Sequence, residues 1–175
     1  MPEQRIIKDG EVVSNHWQLI SKDSTTLPEG EHLILPLALW LTHESTLTAR
    51  KDIAVWFDSE EFPDTAWAEK LKKLPLIAIH FPIFTDGRGF TTARLLRQRF
   101  DYHGEIRAFG HVLREQMCYM KRCGFNSFVL AEHINLEEAV ESLNDFTEYY
   151  QTSVDQPRHI GLADPQAMPI CLGAW

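Results

Sequence analysis

The tetrapeptide Asp86-Gly87-Arg88-Gly89 places an acid, a base and two glycines directly before an amphipathic segment. Glycine permits positive φ and close approach of the backbone, and free N–H groups at the start of a helix attract anions. A guanidinium adds a bidentate contact to an oxyanion. The pattern therefore predicts an anion-binding loop. Its candidate ligands are Gly87, Arg88, Gly89, Thr91, Thr92 and Arg94.

Two side chains near this loop are candidates for proton transfer. Asp86 fits either a base or a group that fixes the turn through its own backbone. His111 follows another apolar run, where an imidazole could act as a general base. Asp86 and His111 are therefore the catalytic candidates, and His80 shares their ambiguity. Each candidate also has a structural alternative. The loop of Asp86 fits a tight turn whose arginine pairs with a carboxylate, and His111 fits a surface histidine.

Several common chemistries are excluded by what the motifs lack. No Gly-Lys-Ser/Thr follows the glycines, and the third glycine of a dinucleotide fingerprint is missing. The cysteines, Cys118, Cys123 and Cys171, include no Cys-x-x-Cys pair, so neither structural zinc nor an iron–sulfur cluster is expected. Their odd number argues against a disulfide framework. The sequence thus predicts no metal and no cofactor.

The candidate residues lie in a chain that alternates short apolar runs with amphipathic segments. The runs at 53–57, 76–81, 106–109 and 127–130 predict strands. The segments at 65–73, 92–102, 111–123 and 136–150 predict helices. Four βα units in succession indicate an α/β fold with a parallel sheet, either half-barrel-like or small and open. The loops of Asp86 and His111 would then share the carboxyl edge, where such sheets bind ligands.

Less regular segments flank this α/β region. An N-terminal β-hairpin is expected at 5–20 around Asp9-Gly10, followed by a loop, and a helix is expected at 33–50. From Gln151 the chain is rich in proline and glycine and predicts an extended tail whose apolar end docks in cis or in a homodimer. The predicted organisation is a hairpin and loop at 1–30, an α/β domain at 31–150 and a tail at 151–175.

Charge is unevenly distributed along the chain. The 17 basic and 25 acidic residues give −8, yet residues 88–122 hold eight bases and three acids, so that this segment is +5. An acidic protein is a poor general nucleic-acid binder. The basic segment fits a small anion, an acidic partner or a set of solvated helix faces. With no apolar run of about 18 residues and no secretory core, a cytoplasmic protein without membrane association is expected.

Three stretches carry a family resemblance: FPIFTDGRGFTTARLLRQRF, GEIRAFGHVLREQ and RCGFNSF. They resemble the bacterial domain of unknown function 934 family over roughly residues 33–150. Members are often labelled as oxidoreductases of sulfite reduction, which implies a link to assimilatory sulfite reduction. His80 and His111 stand where acids are usual in the family, Phe90 replaces a tyrosine and Asn126 an aspartate.

Three hypotheses follow for function. The first is an accessory protein of assimilatory sulfite reduction, in sulfur assimilation and cysteine biosynthesis, that contacts sulfite reductase or its electron donor through the basic segment or the tail. The second is a small α/β enzyme, an oxidoreductase by the family label, that binds sulfite, sulfate or a phosphate-bearing compound. The third is a dimeric scaffold with a purely structural glycine loop. The missing redox-cofactor motif favours the first.

Overall fold

The computed structural model describes residues 4–47, 50–144 and 152–155, in which strands and helices alternate. The strands are β1 (Arg5–Lys8), β2 (Glu11–Ser14), β3 (Gln18–Leu19), β4 (Leu33–Pro36), β5 (Ile53–Phe57), β6 (Leu76–Phe81), β7 (Glu105–Gly110) and β8 (Ser127–Phe128). The α-helices are α1 (Leu37–Leu47), α2 (Ala68–Leu71), α3 (Arg88–Gln98), α4 (Met117–Cys123) and α5 (Leu136–Glu141). Short 3₁₀ turns occupy Arg114–Gln116 and Ser142–Asn144.

The strands of the described chain form one eight-stranded sheet with the order β2-β1-β8-β7-β6-β5-β4-β3. Strands β3 to β8 are parallel and lie in chain order, whereas β1 pairs antiparallel with both β8 and β2. Because each parallel connection steps to the next position in the same direction, the sheet curls into a half-barrel. The predicted α/β fold with a parallel sheet is confirmed, in its half-barrel form.

The two faces of this sheet are covered differently. Side chains such as Leu35, Val55 and Ile79 point to the outer face and join the helices in the main core. Their neighbours in sequence point the other way, because side chains alternate along a strand. On that inner face Ile34, Ala54, Trp56, Leu76 and Ala78 form a second, smaller apolar cluster. A concave surface with few covering side chains is where this fold can admit a ligand.

Strands β5 and β6 begin and end where the apolar runs predict, but the first predicted helix is partly wrong. Residues 33–36 are strand β4, and only then does α1 begin. A continuous apolar run gives no periodicity that separates a strand from a buried helix. Helix α3 begins at Arg88, four residues before the predicted start. The glycine loop is therefore shorter than expected, and Gly89 lies inside the helix.

The C-terminal half also differs from the predictions at helix ends. The helix expected at 111–123 begins with the 3₁₀ turn at Arg114, and Gly124 ends α4 in the left-handed conformation at φ 112°. The tail predicted at 151–175 lies outside the described residues, apart from 152–155. None of the described helices is long and apolar enough to cross a membrane.

Candidate functional site at the carboxyl edge of the sheet

Arg88 and Asp86 form a bidentate salt bridge at the start of α3. The Nε and Nη2 groups of Arg88 donate to Oδ1 and Oδ2 of Asp86 at 2.9 and 2.8 Å. Oδ1 also accepts the backbone N–H of Arg88 at 3.1 Å. These bonds from Arg88 hold the pKa of the Asp86 carboxyl well below its usual range. The anion at this helix N-terminus is thus the chain's own carboxylate.

Neither glycine of the loop adopts the expected positive φ. Gly87 has φ −86°, and neither it nor Gly89 is among the residues with positive φ. A Cβ on Gly89 would lie 2.7 Å from Cζ of Phe81 in β6. Gly89 therefore permits close packing of α3 on the sheet, which is a structural role.

The remaining predicted anion ligands do not join the Asp86–Arg88 pair. The buried hydroxyl of Thr92 donates to the carbonyl oxygen of Arg88 at 3.4 Å, within the helix. Nε of Arg94 donates to Oε1 of Gln98 at 2.9 Å on an exposed face. Thr91 is exposed beside them. An oxyanion site built from these side chains stays a prediction.

His111 lies apart from the start of a helix, contrary to the expectation that it caps one. Its backbone N–H donates to the carbonyl oxygen of Phe81 at 2.7 Å, after Gly110 at φ 95°. The residue itself is exposed. Among the described residues no hydrogen bond joins its ring to Asp86. The pairing of the two catalytic candidates therefore has no support from contacts, and their catalytic role stays a prediction.

Two residues that the sequence analysis missed connect Arg88 to His80. Oγ of Ser59 accepts a hydrogen bond from Nη2 of Arg88 at 3.1 Å, and the N–H of Ser59 donates to Oδ1 of Asp58 at 2.8 Å. Oδ1 of Asp58 also lies 3.1 Å from Nδ1 of His80. Asp58 and Ser59 directly follow β5, so the parallel-sheet rule that selected Asp86 could have found them.

Residues 54–160 match the model of the family described as bacterial protein of unknown function (DUF934). The chain belongs to this family. The match covers more than half of the chain and includes every residue of the network from Asp58 to Arg88. No curated protein and no solved structure matches the chain.

In this DUF934 protein, His80 is held between two aromatic rings and one carboxylate. Its imidazole stacks on Phe109 with centroids 5.0 Å apart and meets Trp56 edge-on at 5.8 Å. Burial alone would raise the pKa of Asp58, but hydrogen bonds from Lys22, the N–H of Ser59 and His80 hold that pKa at about 2. With Asp58 ionised, a neutral His80 donates from Nδ1 and keeps a lone pair on Nε2. This arrangement suits proton transfer.

Acidic groups outnumber basic groups around the network of the DUF934 protein. Glu61 accepts the backbone N–H of Asp58 at 2.7 Å, and Glu60 lies 3.5 Å from Nη1 of Arg88. The acids are Asp58, Glu60, Glu61 and Asp86, and the bases are Lys22 and Arg88. Four charges against two leave −2, which disfavours a free oxyanion here. Among the described residues, no group of three or more His, Cys, Asp or Glu side chains is placed to hold a metal ion.

The basic segment at 88–122 does not form one continuous surface. Arg97 points inward and donates to the carbonyl oxygens of Gly124, Tyr102 and Gly104 at 2.7–2.9 Å. Arg107 is buried against Glu105. Arg88, which pairs with Asp86, is a third cation of this segment that bonds to partners within the chain.

Proposed function

We propose that this DUF934 protein is an accessory protein of assimilatory sulfite reduction that docks on sulfite reductase through the carboxyl edge of its sheet. The observation that carries the proposal is a group of exposed apolar side chains beside the acidic network. Phe62, Ile83 and Phe84 are 45%, 57% and 54% exposed. They belong to the loops after β5 and β6, which the Ser59–Arg88 hydrogen bond ties together.

Large apolar side chains grouped at one edge are typical of a surface that meets another protein. Aromatic anchors within a charged rim are the usual composition of such an interface. Here the rim is acidic, with Glu60 projecting into solvent. Sulfite is an anion, so a reductase that collects it is expected to present a cationic entrance, and an acidic rim complements such a surface. The link to sulfite itself rests on the family resemblance.

This proposal places the contact at a different surface from the two that the sequence analysis named. The basic segment is a weaker candidate because Arg88, Arg97 and Arg107 are paired within the chain. A contact through the tail falls on residues outside the described ranges and stays a prediction, as does a homodimer. At the carboxyl edge, in contrast, exposed apolar side chains occur together with an excess of acidic groups.

Binding to the purified sulfite reductase of the same bacterium tests the proposal. We expect saturable binding by calorimetry that weakens as salt increases, because rim charges are screened. The double variant Ile83→Ser/Phe84→Ser and the charge reversal Glu60→Lys should each weaken it. Leu41→Ser removes an exposed apolar side chain from α1 and is the matched control. No binding at all, or equal binding by every variant, would refute docking through this edge.

The Asp58–His80 pair favours a second candidate function, a small α/β enzyme in which Nε2 of His80 moves a proton. Its substrate would be sulfite, sulfate or a phosphate-bearing compound, held against the net negative charge of the edge by Arg88 and Lys22. Thermal-shift titrations with sulfite, sulfate and phosphate test it. A saturable stabilisation that His80→Asn abolishes would support the enzyme, and no stabilisation by any of the three anions would eliminate it.

A further inference from the structure

The inner face of the sheet contains a cavity beside the carboxyl-edge network, because Phe109 lines the cavity and also stacks on His80. Its volume is about 200 Å³. Its lining is mainly apolar, with the side chains of Trp17, Leu19, Ile34, Ala78, Phe109 and Val129, and the polar side chains of Gln4 and Asn15 complete it. One charged side chain, Arg107, also lines it. An apolar cavity with a single cation is an arrangement that the family and the proposed function leave unexplained.

Arg107 is buried, with 3% of its surface exposed. Nε and Nη2 donate to the same oxygen of Glu105 at 2.9 and 2.7 Å, and Nη1 donates to Oδ1 of Asn15 at 2.9 Å. Nε also lies 3.3 Å from Oγ of Ser127. Each terminal nitrogen of a guanidinium carries two hydrogens. Within the described part of the chain, these bonds use one hydrogen of Nη1 and one of Nη2 and leave a second N–H on each.

The charges around Arg107 do not cancel. The second oxygen of Glu105 pairs with Nζ of Lys8 at 2.8 Å, so that one carboxylate serves two cations. The cluster of Lys8, Glu105 and Arg107 therefore carries +1. Burial lowers the pKa of Arg107, and the charge of Glu105 only partly compensates. A buried cation with unused donors is stabilised by an additional anion.

Asn15 keeps the guanidinium in place without neutralising it. Its Oδ1 accepts from Arg107 and from the backbone N–H of Trp17 at 3.1 Å, while its Nδ2 donates to Oε1 of Gln4 at 2.8 Å. The amide is thus fixed from both ends. Arg107 is preorganised, so a ligand would not have to order it.

We propose that this cavity binds a small organic carboxylate, with its charged group on Arg107 and an apolar body against Trp17 and Phe109. The volume lies below the roughly 300–1,000 Å³ that is typical of pockets for drug-sized ligands, so it suits a branched or single-ring acid. An inorganic oxyanion would satisfy the cation but leave the apolar walls facing water. This inference does not depend on the proposed docking to sulfite reductase.

Calorimetric titration of the full-length protein with benzoate, phenylacetate and isovalerate tests the inference. We expect saturable binding of at least one of these acids and none of benzamide, which has the shape of benzoate without its charge. Sulfate and sulfite should compete weakly or not at all. Binding of benzamide equal to that of benzoate, preferential binding of sulfate, or no saturable binding of any of the three acids would overturn the proposal.

Two variants locate the site. Arg107→Met/Glu105→Gln removes the buried pair together and should weaken the carboxylate about 10- to 100-fold, the range expected for hydrogen bonds to a charged group. Val129→Phe narrows the cavity at a half-buried position and should abolish binding, and it remains informative if the double variant does not fold. Arg99→Met removes an exposed arginine elsewhere and is the control. Wild-type affinity in Val129→Phe would refute the assigned cavity.

Discussion

Two arginine–carboxylate pairs of this protein have the same sequence spacing and different surroundings. Asp86 and Arg88 are two residues apart, and so are Glu105 and Arg107. The first pair lies where a loop meets a helix, and an Asx-type turn brings the two side chains together. The second pair lies within strand β7, where residues two apart point to the same face. Arg88 is part of the exposed edge, whereas Arg107 lines the inner cavity.

A conspicuous sequence motif therefore does not guarantee that its arginine is available to bind an anion. Asp86 neutralises Arg88, and two further glutamates make that edge acidic. Glu105 is shared between Arg107 and Lys8, and of these two cations Arg107 lines the mainly apolar cavity. The second arginine is therefore the better candidate contact for an anion, in the form of the organic carboxylate proposed above. Substitutions in and around the two pairs test this difference, and their expected effects decrease in the order given.

Arg107→Met should have the largest effect on stability. It leaves Glu105 buried with Lys8 as its remaining cation, and loss of one partner from a buried pair costs about 3 kcal/mol or more. Chemical denaturation measures the unfolding free energy. The double variant Arg107→Met/Glu105→Gln should recover most of the loss, to within about 1 kcal/mol of wild type, because no unpaired charge remains buried. Lys8 also loses Glu105, but its side chain is 42% exposed and stays solvated. A double variant as unstable as the single one would show that packing, and not charge, explains the loss.

Gly89→Ala and Gly87→Ala should change stability in opposite directions. A Cβ at position 89 would press on the buried ring of Phe81 and cost about 1–3 kcal/mol, although alanine favours a helix. At position 87 the nearest atom would be 3.9 Å away and φ is already helical, so alanine should stabilise by about 0.5 kcal/mol. Stability curves of the two variants measure this directly. Equal destabilisation by both would indicate that the loop requires glycine flexibility.

The sheet could be predicted from the sequence because apolar runs bounded by turns identify buried parallel strands. Strand β4 could not, since its four residues continue without interruption into the apolar start of α1. The start of α3 differs from its predicted position because glycine and arginine are typical of loops, whereas the Asp86 carboxylate accepts the backbone N–H of Arg88, the first residue of the helix. The pairing of β4 with β5 and the hydrogen bond from Arg88 to Asp86 thus decide what propensity leaves ambiguous.

The candidate site could be predicted only in part. Asp86, Arg88 and His80 were recognised as residues at the carboxyl edge, but the bonds through Ser59 and Asp58 depend on how two loops meet. The burial of Arg107 could not be predicted, since an arginine within a strand pattern usually indicates an exposed position. Its burial results from Glu105 and Asn15, the latter 92 positions away in sequence. Contacts of that separation have no signature in a single sequence.

Asp58 should contribute stability that is lost in acid. Its pKa in the folded protein is about 2, below the ordinary value of 3.8, so its contribution is complete above pH 3.8 and disappears as the pH falls towards 2. The full contribution is about 2 kcal/mol. Unfolding free energies of wild type and Asp58→Asn between pH 2 and 5 should therefore converge at low pH. Lys22→Met should raise the pKa of Asp58 and so narrow the pH range over which its contribution is lost. A difference in unfolding free energy between wild type and Asp58→Asn that does not vary with pH would contradict this role of Asp58.

Arg88→Met should have the smallest effect on stability, since the Arg88 side chain is 48% exposed and the Asp86 carboxylate keeps the backbone N–H of residue 88 as a donor. Its informative readout is the Asp86 carboxyl, whose pKa should rise towards the ordinary range when the arginine is removed. Carbon-detected NMR titration measures that shift. A large loss of stability would mean that the Asp86–Arg88 pair contributes as much as the Glu105–Arg107 pair. This result would contradict the proposed difference between the two pairs. A rise in pKa with an unchanged fold would establish that Arg88 serves Asp86, and that an anion must displace this carboxylate to bind there.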